Sequence, residues 1–167
     1  MSDAFPALRS IIGHEKQVRL LARALSSGRV GGAYVFAGVP GLGKKTVAAA
    51  FAAALNCEAG GKDACGSCGS CRRVADGNQP DIVFVRPDGA TLRIAQIREL
   101  QRQISLRPHE GRYKVFVVTD AEKMRPEAAN ALLKTLEEPP GAGVLVLTTS
   151  SVDALLPTIR SRSQELR

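Results

Sequence analysis

The chain has 167 residues, 44% hydrophobic and 23% charged; this is the composition of one compact domain and excludes a disordered chain. Its 23 basic against 16 acidic residues give a net charge of +7, compatible with nucleic acid or acidic protein surfaces, although the basic residues are dispersed. With no Trp and 4% aromatics an aromatic stacking platform for single strands is excluded, and no apolar run approaches the roughly 20 residues of a membrane span.

The first ten residues, MSDAFPALRS, lack a basic-then-apolar signal pattern, so a cytoplasmic location is expected. Val18, Leu21 and Leu25 recur on one face and predict a helix from about Lys16 to Leu25, broken by Ser26-Ser27-Gly28 and Gly31-Gly32. Ala33–Ala37 is an apolar run of buried-strand length, followed by a glycine-rich turn, Gly38 to Gly43. Lys44–Asn56 has the alanine content of a strong helix. After a cysteine-bearing segment, Asp81–Val85 predicts a second strand, and Pro87-Asp88-Gly89 turns the chain. Ile94, Ile97, Leu100 and Ile104 mark an amphipathic helix that stops before Pro108. Lys114–Thr119 predicts a third strand. Pro126 opens a helix through Ala129, Leu132, Leu133 and Leu136 that Pro139-Pro140 ends. Val144–Leu147 predicts a fourth strand, and a fifth begins at Gln164. Strands alternating with helices, each strand an almost unbroken apolar run, predict a parallel sheet covered on both faces. The sequence ends abruptly after this last strand, which suggests part of a longer chain.

The run Gly38-Val39-Pro40-Gly41-Leu42-Gly43-Lys44 fits the first seven positions of the phosphate-loop pattern G-x-x-x-x-G-K-[ST], between a predicted strand and a predicted helix. Glycines let backbone N–H groups converge on phosphate oxygens, the helix start adds partial positive charge, and Lys44 reaches the outer phosphates. A glycine-rich turn with an incidental lysine is the plainer alternative. The eighth position is Lys45, whose ammonium cannot coordinate Mg²⁺ as a hydroxyl does. Thr46 follows one residue late, about 100° further round the helix. The third strand ends Thr119-Asp120-Ala121-Glu122, with no adjacent acidic pair to help hold the metal. ATP or ADP binding is therefore expected, through Gly38, Gly41, Gly43, Lys44, Lys45, Thr46 and Asp120, with hydrolysis weak or absent.

All four cysteines, Cys57, Cys65, Cys68 and Cys71, fall within fifteen residues with spacing C-x7-C-x2-C-x2-C. Each C-x2-C pair lets two thiolates reach one ion, and four thiolates close a tetrahedral zinc shell with no open position, hence a structural role. The only histidines, His14 and His109, are far off in sequence. Disulfides, free thiols or an iron–sulfur cluster are the alternatives.

Six segments occur in order: GGAYVFAGVPGLGKKT, the cysteine insert at 57–71, QPDIVFV, IAQIRELQRQISLRPHEGRYKVFVV, NALLKTLEEPP and LLPTIRSRSQ. Together they resemble the N-terminal AAA+ domain of bacterial DNA polymerase III clamp-loader subunits over nearly the whole chain, 1–167. The resemblance implies a P-loop sheet of about five strands with a small zinc-binding insert, followed in the family by lid and collar domains. Lys45 and Thr119 depart from the tau/gamma ATPase motor and resemble the delta-prime stator; the tau/gamma type is the alternative. The resemblance also implies partners: the tau/gamma and delta subunits, the sliding clamp indirectly, and primer–template DNA in the assembled complex, with no membrane. Ser161-Arg162-Ser163 stands where the family has Ser-Arg-Cys, implying that Arg162 acts in trans on a neighbour's ATP. Thr148 and Thr149 match the polar sensor at the end of the fourth strand. Lys134, Glu137 and Glu138 are expected to face a neighbouring subunit, while Leu132, Leu133 and Leu136 are core.

Overall fold

The computed structural model describes residues 7–60 and 62–167, so the first six residues read for a signal pattern lie outside the described residues. Five strands, β1 (Ala33–Ala37), β2 (Ile82–Val85), β3 (Lys114–Val118), β4 (Gly143–Thr149) and β5 (Gln164–Leu166), form one sheet. All its pairings are parallel, in the order β2-β3-β4-β1-β5. The helices are α1 (Glu15–Ser27), α2 (Lys44–Leu55), α3 (Gly69–Ala75), α4 (Ile94–Ile104), α5 (Pro126–Glu137) and α6 (Pro157–Ser161). No described helix is long and apolar enough to cross a membrane.

Side chains alternate across each strand, so the apolar runs feed two cores at once. Val35, Phe116, Val118, Leu145 and Leu147 pack with Ile97, Leu100 and Leu132 of α4 and α5. Tyr34, Phe36, Val115, Val117, Val144 and Val146 pack on the other face with Leu21 of α1 and Phe51 of α2. Every residue of α2 from Val47 to Leu55 is buried. Its alanines let the sheet and α1 approach closely, and Phe51 meets Tyr34 edge to face, with ring centroids 5.1 Å apart.

Several boundaries differ from expectation. Ser26 and Ser27 do not break α1; they complete it, and Gly28, at φ 69°, caps it in the left-handed region. β4 extends three residues beyond the apolar core Val144–Leu147, because Gly143 and the buried Thr148 and Thr149 satisfy the ladder. Asp81 precedes β2 rather than starting it. Its buried carboxylate accepts the N–H groups of His109, Glu110 and Gly111 at 2.5–2.8 Å, fixing the turn that leads into β3. The short helices α3 and α6 carry no periodic signal of their own. Leu132 and Leu136 are buried as expected, and Leu133 is half-buried against the same core.

Candidate phosphate loop and cysteine cluster

Because β3, β4 and β1 are adjacent, their C-terminal ends bring three segments together: the loop after Ala37, Thr119-Asp120, and Thr148-Thr149. Clefts at such strand ends are where open parallel sheets bind ligands. Gly38 donates its N–H to the Thr149 carbonyl at 3.1 Å. A Cβ there would lie 2.5 Å from Leu42 Cδ2. Gly41 and Gly43 sit at φ +81° and +89°, where an L side chain is strained. Gly43 caps α2, and no side chain makes a capping hydrogen bond at that helix start. The first-turn N–H groups therefore have no acceptor within the helix and suit an anion. Lys44 bridges the loop: its ammonium donates to the Gly38 carbonyl and, at 2.9 Å, to the Val39 carbonyl.

The remaining candidates divide. Lys45 and Thr46 are exposed and line a separate cleft of about 360 Å³ with Phe84 and Arg86, beside edge strand β2. Thr119 is buried and turns its hydroxyl to the Val85 carbonyl at 3.5 Å. Asp120 has a left-handed backbone, φ 53°; its N–H donates to Thr148 Oγ1 at 3.4 Å and its carboxylate lies 3.8 Å from Lys123 Nζ. Thr149 donates its hydroxyl to the Ser151 carbonyl at 2.8 Å. Thr148 and Thr149 are thus both at the loop's rim, each engaged by a neighbour.

Two residues near the loop were not singled out by the sequence. Glu122 accepts the hydroxyl and N–H of Ser150, at 2.5 and 3.2 Å, across the ends of β3 and β4. Burial works to raise its pKa, and those hydrogen bonds outweigh it and hold the carboxyl below its usual range. His14 has a left-handed backbone, φ 59°, and its Nε2–H donates to the Leu42 carbonyl at 2.7 Å. With Gln17, Phe36, Leu42, Val47 and Leu166 it lines a mostly apolar pocket that reaches Lys44. A histidine ahead of a helix has no periodic signature, and only folding carries it 28 residues along the chain to the loop.

Arg162 lies at the other end of the sheet. It lines a small cavity with Gly32 and Ala33, at the start of β1, and Gly143, at the start of β4. β1 spans five residues, so about 15 Å of strand separates this end from the loop. Its guanidinium pairs with Glu137 at 3.2 Å and donates to the Thr158 carbonyl at 3.1 Å. Lys134, Glu137 and Glu138 are all exposed on or just after α5.

The four cysteine sulfurs all lie within 4.8 Å of one another. A tetrahedral ion with sulfurs at about 2.3 Å needs them about 3.8 Å apart, so the cluster is close to a closed shell. Cys57 and Cys71 are buried, Cys65 and Cys68 half-buried. The Ser67 hydroxyl, with the N–H groups of Ser67 and Cys68, pulls the Cys65 thiol down to about 6. Burial pushes Cys71 up to about 12 and also raises Cys57. A bound cation supplies the charge that lets buried thiols ionise, and N–H groups aimed at sulfur suit thiolate ligands. The residues present therefore fit a metal ion.

Residues 13–167 match the family described as DNA polymerase III, delta subunit. The chain is 40% identical over 149 residues to DNA polymerase III subunit delta' of Bacillus subtilis, covering 89% of this chain and 45% of that protein. It is 36% identical over 153 residues to subunit tau of Escherichia coli, covering 91% of this chain and 24% of that one. Among solved structures, a DNA polymerase III gamma subunit-related protein of Thermotoga maritima superposes with a TM-score of 0.64 at 26% identity, over 89% of this chain and 44% of that one. A RuvB variant of the same organism superposes at 0.63 and 20% identity over 98% of this chain and 48% of that one, a likeness of fold. The chain thus spans less than half the length of these proteins.

Proposed function

Since the chain belongs to the DNA polymerase III delta subunit family, we propose that it is the AAA+ domain of a delta-prime-type clamp-loader subunit, a cytoplasmic stator that helps load the sliding clamp on DNA. The observation that carries this reading is the missing metal-positioning pair at an otherwise complete phosphate loop. Lys45, at the hydroxyl position, lines a different cleft, and Thr119, at the acidic position, is buried against β2. Gly38, Gly41, Gly43 and Lys44 would hold the phosphates of ATP or ADP. The apolar pocket beside His14 has the chemistry to take the base. No residue pair there is suited to hold Mg²⁺ against an attacking water.

In this reading zinc occupies the four-cysteine cluster. The lid and collar follow residue 167, and the partners are the tau/gamma and delta subunits, with the clamp and primer–template DNA reached through the assembly. Arg162 supplies a guanidinium to the neighbour's phosphates, which fits its position at the sheet end opposite its own loop. A tau/gamma-type motor is the second reading, and the intact glycine loop with Lys44 bridging it favours that one. Binding and turnover of ATP by the full-length chain, alone and with its partner subunits, separates the two. A stator binds nucleotide and turns it over at background. A rate of about 1 s⁻¹ or more, abolished by Lys44→Ala, supports the motor.

A further inference from the structure

The loop between the first two cysteines carries Asp63, and its carboxylate faces the N-terminal segment rather than the cluster. It accepts the backbone N–H of Leu8 at 2.8 Å and of Arg9 at 3.0 Å, and the Arg9 guanidinium at 3.3 Å. It also accepts the N–H of Ala64, one residue before Cys65, at 2.7 Å. Arg9 completes the link by donating to the Ala64 carbonyl at 3.2 Å. One carboxylate therefore ties the cysteine module to residues 8 and 9.

Those residues lead, five positions later, to His14. Gly13 and His14 both hold left-handed backbones, φ 77° and 59°, a conformation that persists in a non-glycine residue only where its surroundings impose it. His14 then grips the phosphate loop through Leu42 and lines the pocket beside Lys44. The tie has one end in the metal module and the other at the nucleotide pocket. Leu8, buried beneath α2 in the same core as Phe51, gives the segment a second anchor, so cutting the tie loosens the pocket without unfolding the domain.

We infer that Asp63 is a positioning residue through which the state of the four-cysteine cluster sets nucleotide affinity at the phosphate loop. The inference rests on the nucleotide-binding reading proposed above. When the cluster holds its metal, residues 57–71 are closed and Asp63 presents both oxygens to the N-terminal segment. When the metal leaves, Asp63 loses its fixed place, residues 8–14 relax, and His14 releases the loop. Metal loss is thereby read out as weaker nucleotide binding at the far end of α2.

The test uses the full-length protein with a fluorescent ADP analogue, before and after stripping the metal with a chelator, and in parallel with Asp63→Asn. Stripping the wild type is expected to weaken binding about fivefold, a small allosteric coupling. Asp63→Asn should lose a similar factor while retaining its metal and its melting transition. Stripping that variant should cost little more, because the two perturbations cut one tie and are not additive. Amide exchange at residues 13–18 should rise in the same three states, which checks the mechanical link even if the wild type binds no nucleotide. That last result would defeat the functional reading alone. Wild-type affinity and exchange in Asp63→Asn, or equal loss on stripping both proteins, overturns the inference, as does a protein that binds no metal.

Discussion

Single residues carry much of this molecule's chemistry through groups far away in sequence. Asp81 is fully buried, accepts three backbone N–H groups and lies 3.9 Å from the Lys114 ammonium. Burial works to raise its pKa, but the three N–H groups and Lys114 outweigh it and hold the carboxyl below its ordinary range. Its stabilisation is therefore present above the unfolded carboxylate value of about 3.9 and fades as pH falls through the lower folded value. Asp81→Ala should cost about 3–5 kcal/mol near neutral pH by stranding the three donors. Denaturant unfolding of both proteins across pH 2–7 should show the gap narrowing at the acid end; a constant gap would mean that the charge has no part in it. Arg162→Ala should leave the fold and the chain's own nucleotide affinity unchanged, since it breaks a half-exposed pair with Glu137 and an exposed hydrogen bond to the Thr158 carbonyl. In a loader whose other ATP sites are disabled, the same substitution should slow hydrolysis at the facing site by about 10³-fold or more. Wild-type turnover there returns Arg162 to an ordinary surface role.

At the scale of elements, the cysteine module is built to close on itself. Its four ligands lie within fifteen residues, and it packs a small cluster of its own, Ala53, Cys57, Ala64, Cys71 and Val74, apart from the two sheet cores. Metal analysis should find one zinc per chain. Its removal should raise amide exchange across 57–75 while the strands stay protected. Zinc-free protein from a chelator-free preparation defeats this expectation. The elements most legible in the sequence are those with strong periodicity or tight punctuation. α4 and α5 follow their apolar spacing, and Pro126 opens α5 as its fixed φ demands. α3 and α6 are only seven and five residues long, too short for a period to register. They exist because tertiary partners hold them: Cys68 Sγ accepts the N–H of Cys71 at the start of α3, and Ile159 anchors α6 in the core.

At the scale of the whole molecule, α2 joins the parts. It runs from the loop at one end to Cys57 just past the other, buried over nine consecutive residues, and both the sheet and the cysteine module pack against it. Phe51→Ala, at its middle, should cost about 3–5 kcal/mol, measured as a shift in the unfolding midpoint. A loss below about 1 kcal/mol would show that the alanine-rich helix collapses onto the gap. The glycine loop and the cysteine spacing could be read directly because each is a local pattern with local chemistry. The roles of His14, Glu122 and Asp63 could not, since each acts through a backbone group brought near only by the fold.

The placement of the phosphate loop and Arg162 at opposite ends of β1 makes the domain polar in the sense of symmetry. A two-fold dimer would pair the two ends reciprocally, each copy's Arg162 on the other's loop, and so closes after two members. A head-to-tail contact uses each end once, and such contacts repeat until they close into a ring or are stopped by a subunit that lacks one half of the pair. A subunit that keeps its arginine but has a disabled loop is such a terminus: it serves the neighbour on one side and needs none on the other. In the stator reading proposed above, Lys45 and Thr119 would thus give an assembly of related subunits a defined first member.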